Sequence, residues 1–230
     1  MSKLITKTVC NTEVDKCCDE KPISVYQPFN YLRLMSTIRV AIADDASSIL
    51  DIYAPYIEKS SYTFETEIPS VESFKDRITS CLQNWPWLVC ELNGMVAGYA
   101  YASRHRERIA YQWSAECSVY IHDNYQRLGI AKALYTALIN ILKVQGYRNL
   151  YAVINLPNDK SVSFHEELKF EYFATYKNVG YKLGRWKNVG WWQLQLNEYS
   201  MEPSSPLKFS EIDKVEVDEI LKDSERLIKK

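Results

Sequence analysis

Apolar residues recur with two different periods from residue 37 onward, and the succession of these periods outlines the predicted elements. Every second residue is apolar over residues 38–42, which predicts a first strand. Helical spacing follows twice, behind candidate capping residues at 44–47 and at Ser70. The apolar residues of these two predicted helices are Ile49, Leu50, Tyr53 and Ile57, then Val71, Phe74, Ile78 and Cys81.

The second half of the pattern alternates strands with helices. Asn93-Gly94 separates two apolar runs, which is a strong short-range signal for a hairpin. Strands over 113–121 and 150–154 enclose a predicted helix that ends at Gly146. A short helix over 161–168 and strand-like segments at 172–176 and 191–196 complete the series. The order β-α-α-β-β-β-α-β-α-β-β predicts a mixed α/β (α+β) domain with an antiparallel first half.

The two ends of the chain differ from this regular part. Residues 1–36 show no convincing period and are interpreted as an N-terminal extension, residues 37–197 as the domain, and residues 198–230 as a charged tail. All seven glycines fall between Gly94 and Gly190, which supports this division. The tail carries helical spacing and a possible Ser210-x-x-Asp213 cap, so we predict a helix packed on the domain or a partner, a solvated helix being the alternative. The apolar positions are Ile212, Val215, Ile220 and Leu227.

Composition and charge exclude several classes of partner. The formal net charge is −1, so no basic field points to a nucleic acid. No apolar run reaches the length of a membrane span, and the first residues lack the apolar core of a signal peptide, so we expect a cytoplasmic protein without a membrane partner. The six cysteines include no C-x-x-C pair, so we interpret them as reduced and structural and expect no metal site.

A short loop between a predicted strand and helix carries the first chemical signal. Its sequence is Gln126-Arg127-Leu128-Gly129-Ile130-Ala131, and a helix N-terminus behind small residues suits a phosphate. A tight structural turn is the alternative, and the G-x-x-x-x-G-K-[ST] and G-x-G-x-x-G patterns are both missing. The Q-x-x-G-x-A pattern resembles the [QR]-x-x-G-x-[GA] loop with which GNAT N-acetyltransferases bind the pyrophosphate of acetyl-CoA, although Ala131 replaces the commoner glycine.

Three further stretches resemble the phosphinothricin acetyltransferase-like branch of that superfamily. The matching sequences, YQWSAECSVY over 111–120, LPNDKSVSFHEEL over 156–168 and VGYKLGRWKNVGWW over 179–192, occur in the family's order. The resemblance covers residues 38–196 and implies the GNAT fold, acetyl-CoA as co-substrate and a homodimer. It assigns acetyl-CoA contacts to Val119, Tyr120, Ile121, Gln126, Arg127, Leu128, Gly129, Ile130, Ala131, Lys132, Asn158 and Ser161.

Glu116 is the candidate general base. In a regular strand it shares one face with Ser114, Ser118 and Tyr120, and a solvent-facing carboxylate would be the ordinary interpretation. An amino group is mostly ammonium at neutral pH, however, so acetylation needs a base, and a carboxylate whose pKa is raised by burial can take that proton. The resemblance places the family's catalytic glutamate at this position.

Two further residues match family positions implicated in catalysis. His165 either helps to deprotonate the substrate or orients the site, while by itself it would be a hydrogen-bonded core histidine. Tyr135 either protonates the leaving CoA thiolate or packs in the core.

The resemblance also assigns substrate contacts. Arg106 and Arg108 match a basic pair that binds the anionic groups of an amino-acid-like substrate, since guanidinium forks suit carboxylate and phosphinate oxygens. Tyr111 and Phe64 match aromatic wall positions. Glu65 departs from the family, which often has a basic residue or Asp there, and this difference bears on substrate choice.

The sequence therefore predicts an acetyl-CoA-dependent N-acetyltransferase acting on the α-amino group of a small amino acid or analogue. Phosphinothricin, methionine sulfoximine and methionine sulfone are the acceptors that the resemblance implies, with direct attack on the thioester. The alternatives are a peptide or protein N-terminal acetyltransferase and a non-catalytic CoA-binding module.

Overall fold

A seven-stranded sheet runs through the protein, of which the computed structural model describes residues 35–229. The predicted N-terminal extension therefore lies outside the described residues, apart from positions 35 and 36. The strands are β1 (Ser36–Val40), β2 (Trp87–Leu92), β3 (Met95–Arg104), β4 (Ser114–Ile121), β5 (Asn149–Leu156), β6 (Glu171–Lys182) and β7 (Arg185–Gln195). The helices are α1 (Ala46–Lys59), α2 (Val71–Asn84), α3 (Ile130–Gln145), α4 (Asp159–Glu167) and α5 (Lys214–Glu225).

The strands lie in the order β1-β2-β3-β4-β5-β7-β6. Neighbours pair antiparallel except β4 and β5, which are parallel. Because the α3 crossover connects the two parallel strands, the chain can place a helix beside them and continue in the same sheet. The predicted fold class, a mixed α/β domain with an antiparallel first half, is confirmed.

Local sequence explains several boundaries. Ser70 begins α2 because its hydroxyl oxygen accepts a hydrogen bond from the Ser73 N–H. Asn93 and Gly94 both have positive φ, 50° and 81°, as the tight hairpin between β2 and β3 requires. Gly146 ends α3 in the left-handed conformation.

Two apolar layers cover the sheet. One contains α3, α4 and α5, which bury Leu134, Leu138 and Leu221 against one face. The other contains α1 and α2, which bury Ile49 and Ile78 against the opposite face. The alternation of side chains along β4 therefore decides which layer each of its residues enters.

Two predicted segments differ from the structure. The first strand ends at Val40, because a short 3₁₀ turn begins after Ile42. The Ile42 N–H donates to the Asp45 carboxylate of this turn, and the Ile42 side chain is exposed. The final two strands form one long hairpin around Leu183 and Gly184, both of positive φ. Irregular register between Tyr176 and Gly180 breaks the alternation there, which explains why the sequence pattern showed only its two ends.

The helix of the tail is also arranged differently from the prediction. Asp213 caps α5 by accepting from the Val215 N–H at 2.9 Å, whereas the Ser210 hydroxyl donates to the Gln83 carbonyl. The buried face of α5 contains Val217 and Leu221, while Val215 is exposed. The helical period predicted the element, but two of its four predicted apolar positions, Val215 and Leu227, are exposed.

Candidate active site

The parallel strands β4 and β5 separate after a short pairing and leave an open cleft. Their register ends at Cys117 and Ala152, although both strands continue for several residues. The cleft between them has a volume of about 980 Å³ and extends to the N-terminus of α3. It is long enough to admit an extended ligand between two strands of the sheet.

Backbone groups of β4 line this cleft. The His122 N–H donates to the Ala97 carbonyl of β3, so by alternation the backbone of Tyr120 also faces β3, while Val119 and Ile121 face the cleft. The Ile121 carbonyl already accepts from the Tyr56 hydroxyl at 2.8 Å. Val119 is therefore the position of β4 best placed to pair with an added strand-like ligand, and Tyr120 contributes its side chain alone.

The loop before α3 forms the far end of the cleft. Gly129 and Arg127 have positive φ, 83° and 65°, which turns the chain sharply into the helix. The first helical bond joins the Ala133 N–H to the Gly129 carbonyl, so the N–H groups of residues 130–132 precede the helical ladder. These residues line the cleft together with Gln126, whereas the Leu128 side chain packs against the core. The arrangement suits an anionic group.

The opposite wall comes from β5 and α4. Asn158 caps α4 by accepting from the Ser161 N–H at 3.3 Å, and both residues line the cleft. Asn155 lines it as well, is 6% exposed, and has a side-chain N–H₂ group without a hydrogen-bond partner in the described structure. Asn155 is not among the residues predicted from the sequence, where its signal would have been a polar residue between the apolar Ile154 and Leu156.

Glu116 lies where β4 and β5 begin to separate, on the face of α1 and α2. Its carboxylate is 2.9 Å from Nδ1 of His105, which stacks on Tyr151 at a centroid distance of 4.5 Å. Burial raises the pKa of Glu116, opposed by the hydrogen bond from His105 and by the positive charge of Arg106. His105 has no role predicted from the sequence, because its contact with Glu116 arises only when β3 and β4 pair.

His165 and Tyr135 lie on the other face of the sheet, in the layer of α3 and α4. The Ser161 carbonyl, 2.7 Å from Nδ1 of His165, can only accept, so Nδ1 carries the proton and Nε2 accepts from the Tyr135 hydroxyl at 3.2 Å. Burial lowers the pKa of His165 and raises the pKa of Tyr135 well above 10. Both side chains line the cleft, but neither contacts Glu116.

The predicted substrate residues are only partly brought together. The guanidinium carbon of Arg106 lies 5.6 Å from the centre of the Trp191 ring, close enough to Glu116 to influence its pKa. Tyr111 approaches His105 at a ring-centroid distance of 6.1 Å. Arg108 is exposed, and Phe64 packs on Gly180 of β6.

A second cavity, of about 290 Å³, lies on the same face as Glu116. Its walls are mainly aromatic, and Ser103, the cross-strand neighbour of Glu116, belongs to its lining. Glu65 and Arg77 form an ion pair of 2.6 Å at this cavity. Glu65, which departs from the family, therefore lines a cavity that also includes the cross-strand neighbour of Glu116.

Two features are absent from residues 35–229. No helix in this range is long and apolar enough to cross a membrane. The same range contains no group of three or more His, Cys, Asp or Glu side chains arranged to hold a metal ion.

A mixed sheet whose parallel strands separate beside a glycine-capped helix N-terminus, with a half-buried carboxylate at the fork, is the arrangement expected of an acyl-CoA-dependent acyltransferase. A family model described as an acetyltransferase (GNAT) domain matches residues 38–191. The chain therefore belongs to the GNAT acetyltransferase family and is an N-acetyltransferase, which confirms the resemblance found in the sequence.

Named relatives agree with this assignment. The chain is 42% identical over 156 residues to a phosphinothricin N-acetyltransferase of Streptomyces viridochromogenes, a match covering 68% of this chain and 85% of that protein. It is 30% identical to an L-methionine sulfoximine/L-methionine sulfone acetyltransferase of Salmonella typhimurium, covering 71% and 96%. A crystal structure of a phosphinothricin acetyltransferase from Sinorhizobium meliloti in complex with acetyl-CoA is similar with a TM-score of 0.70 and 34% identity, covering 74% and 93%.

Proposed function

We propose that the protein transfers the acetyl group of acetyl-CoA to the α-amino group of a small amino acid or analogue, with Glu116 as general base. The observation that carries this proposal is the position of Glu116, half-buried at the point where β4 and β5 separate. Burial raises the pKa of its carboxyl group, which makes the carboxylate a stronger base at neutral pH.

The residues of the cleft fit acetyl-CoA. Val119 offers strand-like hydrogen bonding to the pantetheine arm, and the N-terminus of α3 offers N–H groups to the pyrophosphate. The unpartnered amide of Asn155 supplies a buried donor to a carbonyl of the bound arm. When bound, acetyl-CoA supplies an acetyl group activated as a thioester.

Two protein groups handle the protons of the reaction. Glu116 takes a proton from the substrate ammonium, directly or through a water molecule, so that the amine can attack. Tyr135 retains its proton because burial raises its pKa. As the C–S bond breaks, its hydroxyl turns from Nε2 of His165 and gives this proton to the leaving thiolate, and the second proton lost by the attacking nitrogen restores the phenol. We assign His165 an orienting role. It lies on the face of the sheet opposite Glu116, and its Nε2 accepts a hydrogen bond from the Tyr135 hydroxyl.

The acceptor class follows from the basic residues near Glu116. Arg106 can pair with a carboxylate or phosphinate while the amino group faces Glu116, and exposed Arg108 adds positive charge at the entrance. The printed names of the relatives, phosphinothricin and methionine sulfoximine or sulfone acetyltransferases, support the same class for this chain.

We also propose a homodimer formed through the β6–β7 hairpin. In the described sheet β6 is an edge strand, and the hairpin carries large exposed apolar side chains. An exposed edge with aromatic side chains is typical of an interface, because covering this apolar surface with a second molecule lowers the free energy. The exposed residues are Tyr172, Phe173, Tyr176, Val179, Tyr181, Leu183 and Trp186.

A cytoplasmic location completes the proposal. Within the described part of the chain Cys81, Cys90 and Cys117 are free thiols, as is usual for proteins of a reducing compartment.

The test is release of CoA thiol from acetyl-CoA across a panel of amine acceptors. The panel contains phosphinothricin, methionine sulfoximine, methionine sulfone, aromatic amino acids, polyamines and short peptides. We expect turnover confined to small amines that bear a carboxylate. Preferential turnover of peptides would replace this proposal with N-terminal acetylation, and acetyl-CoA binding without any turnover would identify a non-catalytic module.

A further inference from the structure

The tail that follows β7 is hydrogen-bonded to the domain at several points. Leu207 and Gln145 at the end of α3 are joined by two hydrogen bonds, from the Leu207 N–H to the Gln145 carbonyl and from the Gln145 side chain to the Leu207 carbonyl, both 2.8 Å. Further on, the Glu225 carboxylate at the end of α5 accepts from the Ile38 N–H of β1 at 2.8 Å. The tail is therefore hydrogen-bonded to the domain both before α5 and at the end of α5.

The last described residues of the tail meet the loop that precedes α3. The Lys229 N–H donates to the Leu128 carbonyl at 2.8 Å, and Ile228 is buried in the core. A Cβ atom at Gly129 would collide with the Leu227 carbonyl oxygen, so glycine is needed there for the tail as well as for the turn. Residues 227–229 thus support the back of the loop.

Lys229 also lines the cleft itself, at the same end as the loop. Arg127, Lys132 and Lys160 line the same cleft, together with Asp123 and Glu167. The Asp123 carboxylate accepts from the Gln126 side chain at 3.0 Å. The backbone hydrogen bond holds the main chain of Lys229 beside the loop, and its exposed side chain is long enough to bring the ammonium to a phosphate in the cleft.

We propose that residues 227–229 belong to the acetyl-CoA site, with the loop supported by their backbone and a CoA phosphate paired with the Lys229 ammonium. The inference rests on the proposed acetyl-CoA-dependent function. It adds a residue outside the family match, which ends at residue 191. The Lys229 ammonium can pair with the pyrophosphate or with the phosphate on the ribose, because both are phosphate anions.

Titration calorimetry with CoA and with dephospho-CoA, which lacks the ribose phosphate, tests the assignment on the full-length protein. Lys229→Ala is expected to weaken CoA binding roughly fivefold, as for loss of one charge-assisted contact at an exposed site. Lys229→Glu should weaken it further, and Lys229→Arg should restore most of the affinity. Lys222→Ala is the matched control, because Lys222 is an exposed lysine of α5 that does not line the cleft.

Each outcome has a distinct meaning. An equal loss for both ligands assigns Lys229 to the pyrophosphate, and a loss for CoA alone assigns it to the ribose phosphate. CoA affinity that is the same in Lys229→Ala, Lys229→Glu and the unmodified protein would overturn the assignment while leaving the acetyltransferase proposal intact. Absence of CoA binding by the unmodified protein would instead overturn the proposed function and the assignment with it.

Discussion

The carboxyl group of Glu116 is under two opposing influences. Burial disfavours its charged form and raises its pKa, while the hydrogen bond from His105 and the charge of Arg106 favour the charged form. A base in this position has a higher proton affinity than an exposed carboxylate. The balance between burial and His105 therefore sets the pH range in which the proposed reaction runs.

Replacing Glu116 by Gln tests the base directly. The amide preserves the size of the side chain but cannot take a proton, so we expect kcat to fall roughly 10²- to 10⁴-fold. Affinity for acetyl-CoA, measured by calorimetry, should stay unchanged because Glu116 does not line the CoA cleft. Glu58→Gln, an exposed carboxylate on α1, is the control. Turnover by Glu116→Gln equal to that of the control would remove Glu116 from the mechanism.

Replacing His105 by Phe tests the partner of the base. Phe keeps an aromatic ring against Tyr151 but removes the hydrogen bond that lowers the pKa of Glu116, so this pKa should rise further. Since only ionised Glu116 accepts a proton, the acidic limb of the kcat/KM profile should move to higher pH. The measurement is the pH dependence of kcat/KM, with His105→Asn as a variant that retains a donor. An unmoved limb in His105→Phe would contradict the assigned role.

At the scale of elements, α5 is a structural part of the domain. Leu221 of α5 is buried in the core layer that contains α3, whereas Val215 on the same helix is exposed. The packing of α3 and of the edge strand β1 therefore depends on α5, a helix that lies beyond the family match.

Truncating the inner face of α5 should show this dependence. Leu221→Ala is expected to lower the free energy of unfolding by about 2–4 kcal/mol, because it removes buried methyl groups and leaves a cavity. Val215→Ala should change it by less than about 0.5 kcal/mol. Urea unfolding followed by circular dichroism measures both, and equal effects of the two substitutions would show that α5 is not packed as described.

At the scale of the whole molecule, the β6–β7 hairpin decides the proposed assembly. Trp186 is 63% exposed on this hairpin, and burying such a ring against a second copy would stabilise a dimer. Trp186→Asp should therefore convert the dimer to a monomer, measured by light scattering during size-exclusion chromatography. Met95→Asp, at an exposed position in the β2–β3 hairpin, should leave the mass unchanged. A monomeric unmodified protein would refute the proposed interface.

The sequence by itself determined the order of elements, the Asn93-Gly94 hairpin, the glycine loop before α3 and the family. These features depend on local period, turn chemistry and short motifs, all of which are carried by neighbours along the chain. Alternation along β4 also predicted that Glu116 and Tyr120 share a face, and Tyr120 packs against Tyr53 of α1 on that face. The catalytic role of Glu116 remains a prediction.

Only the tertiary structure decided which of these residues meet. The pairing of His105 with Glu116 follows from the register of β3 and β4, and the separation of His165 from Glu116 follows from the layers on the two faces of the sheet. The contact of Lys229 with Leu128 follows from the docking of α5. Such contacts join residues far apart in the chain, so strand register and helix packing determine them, and neither is encoded in a local pattern.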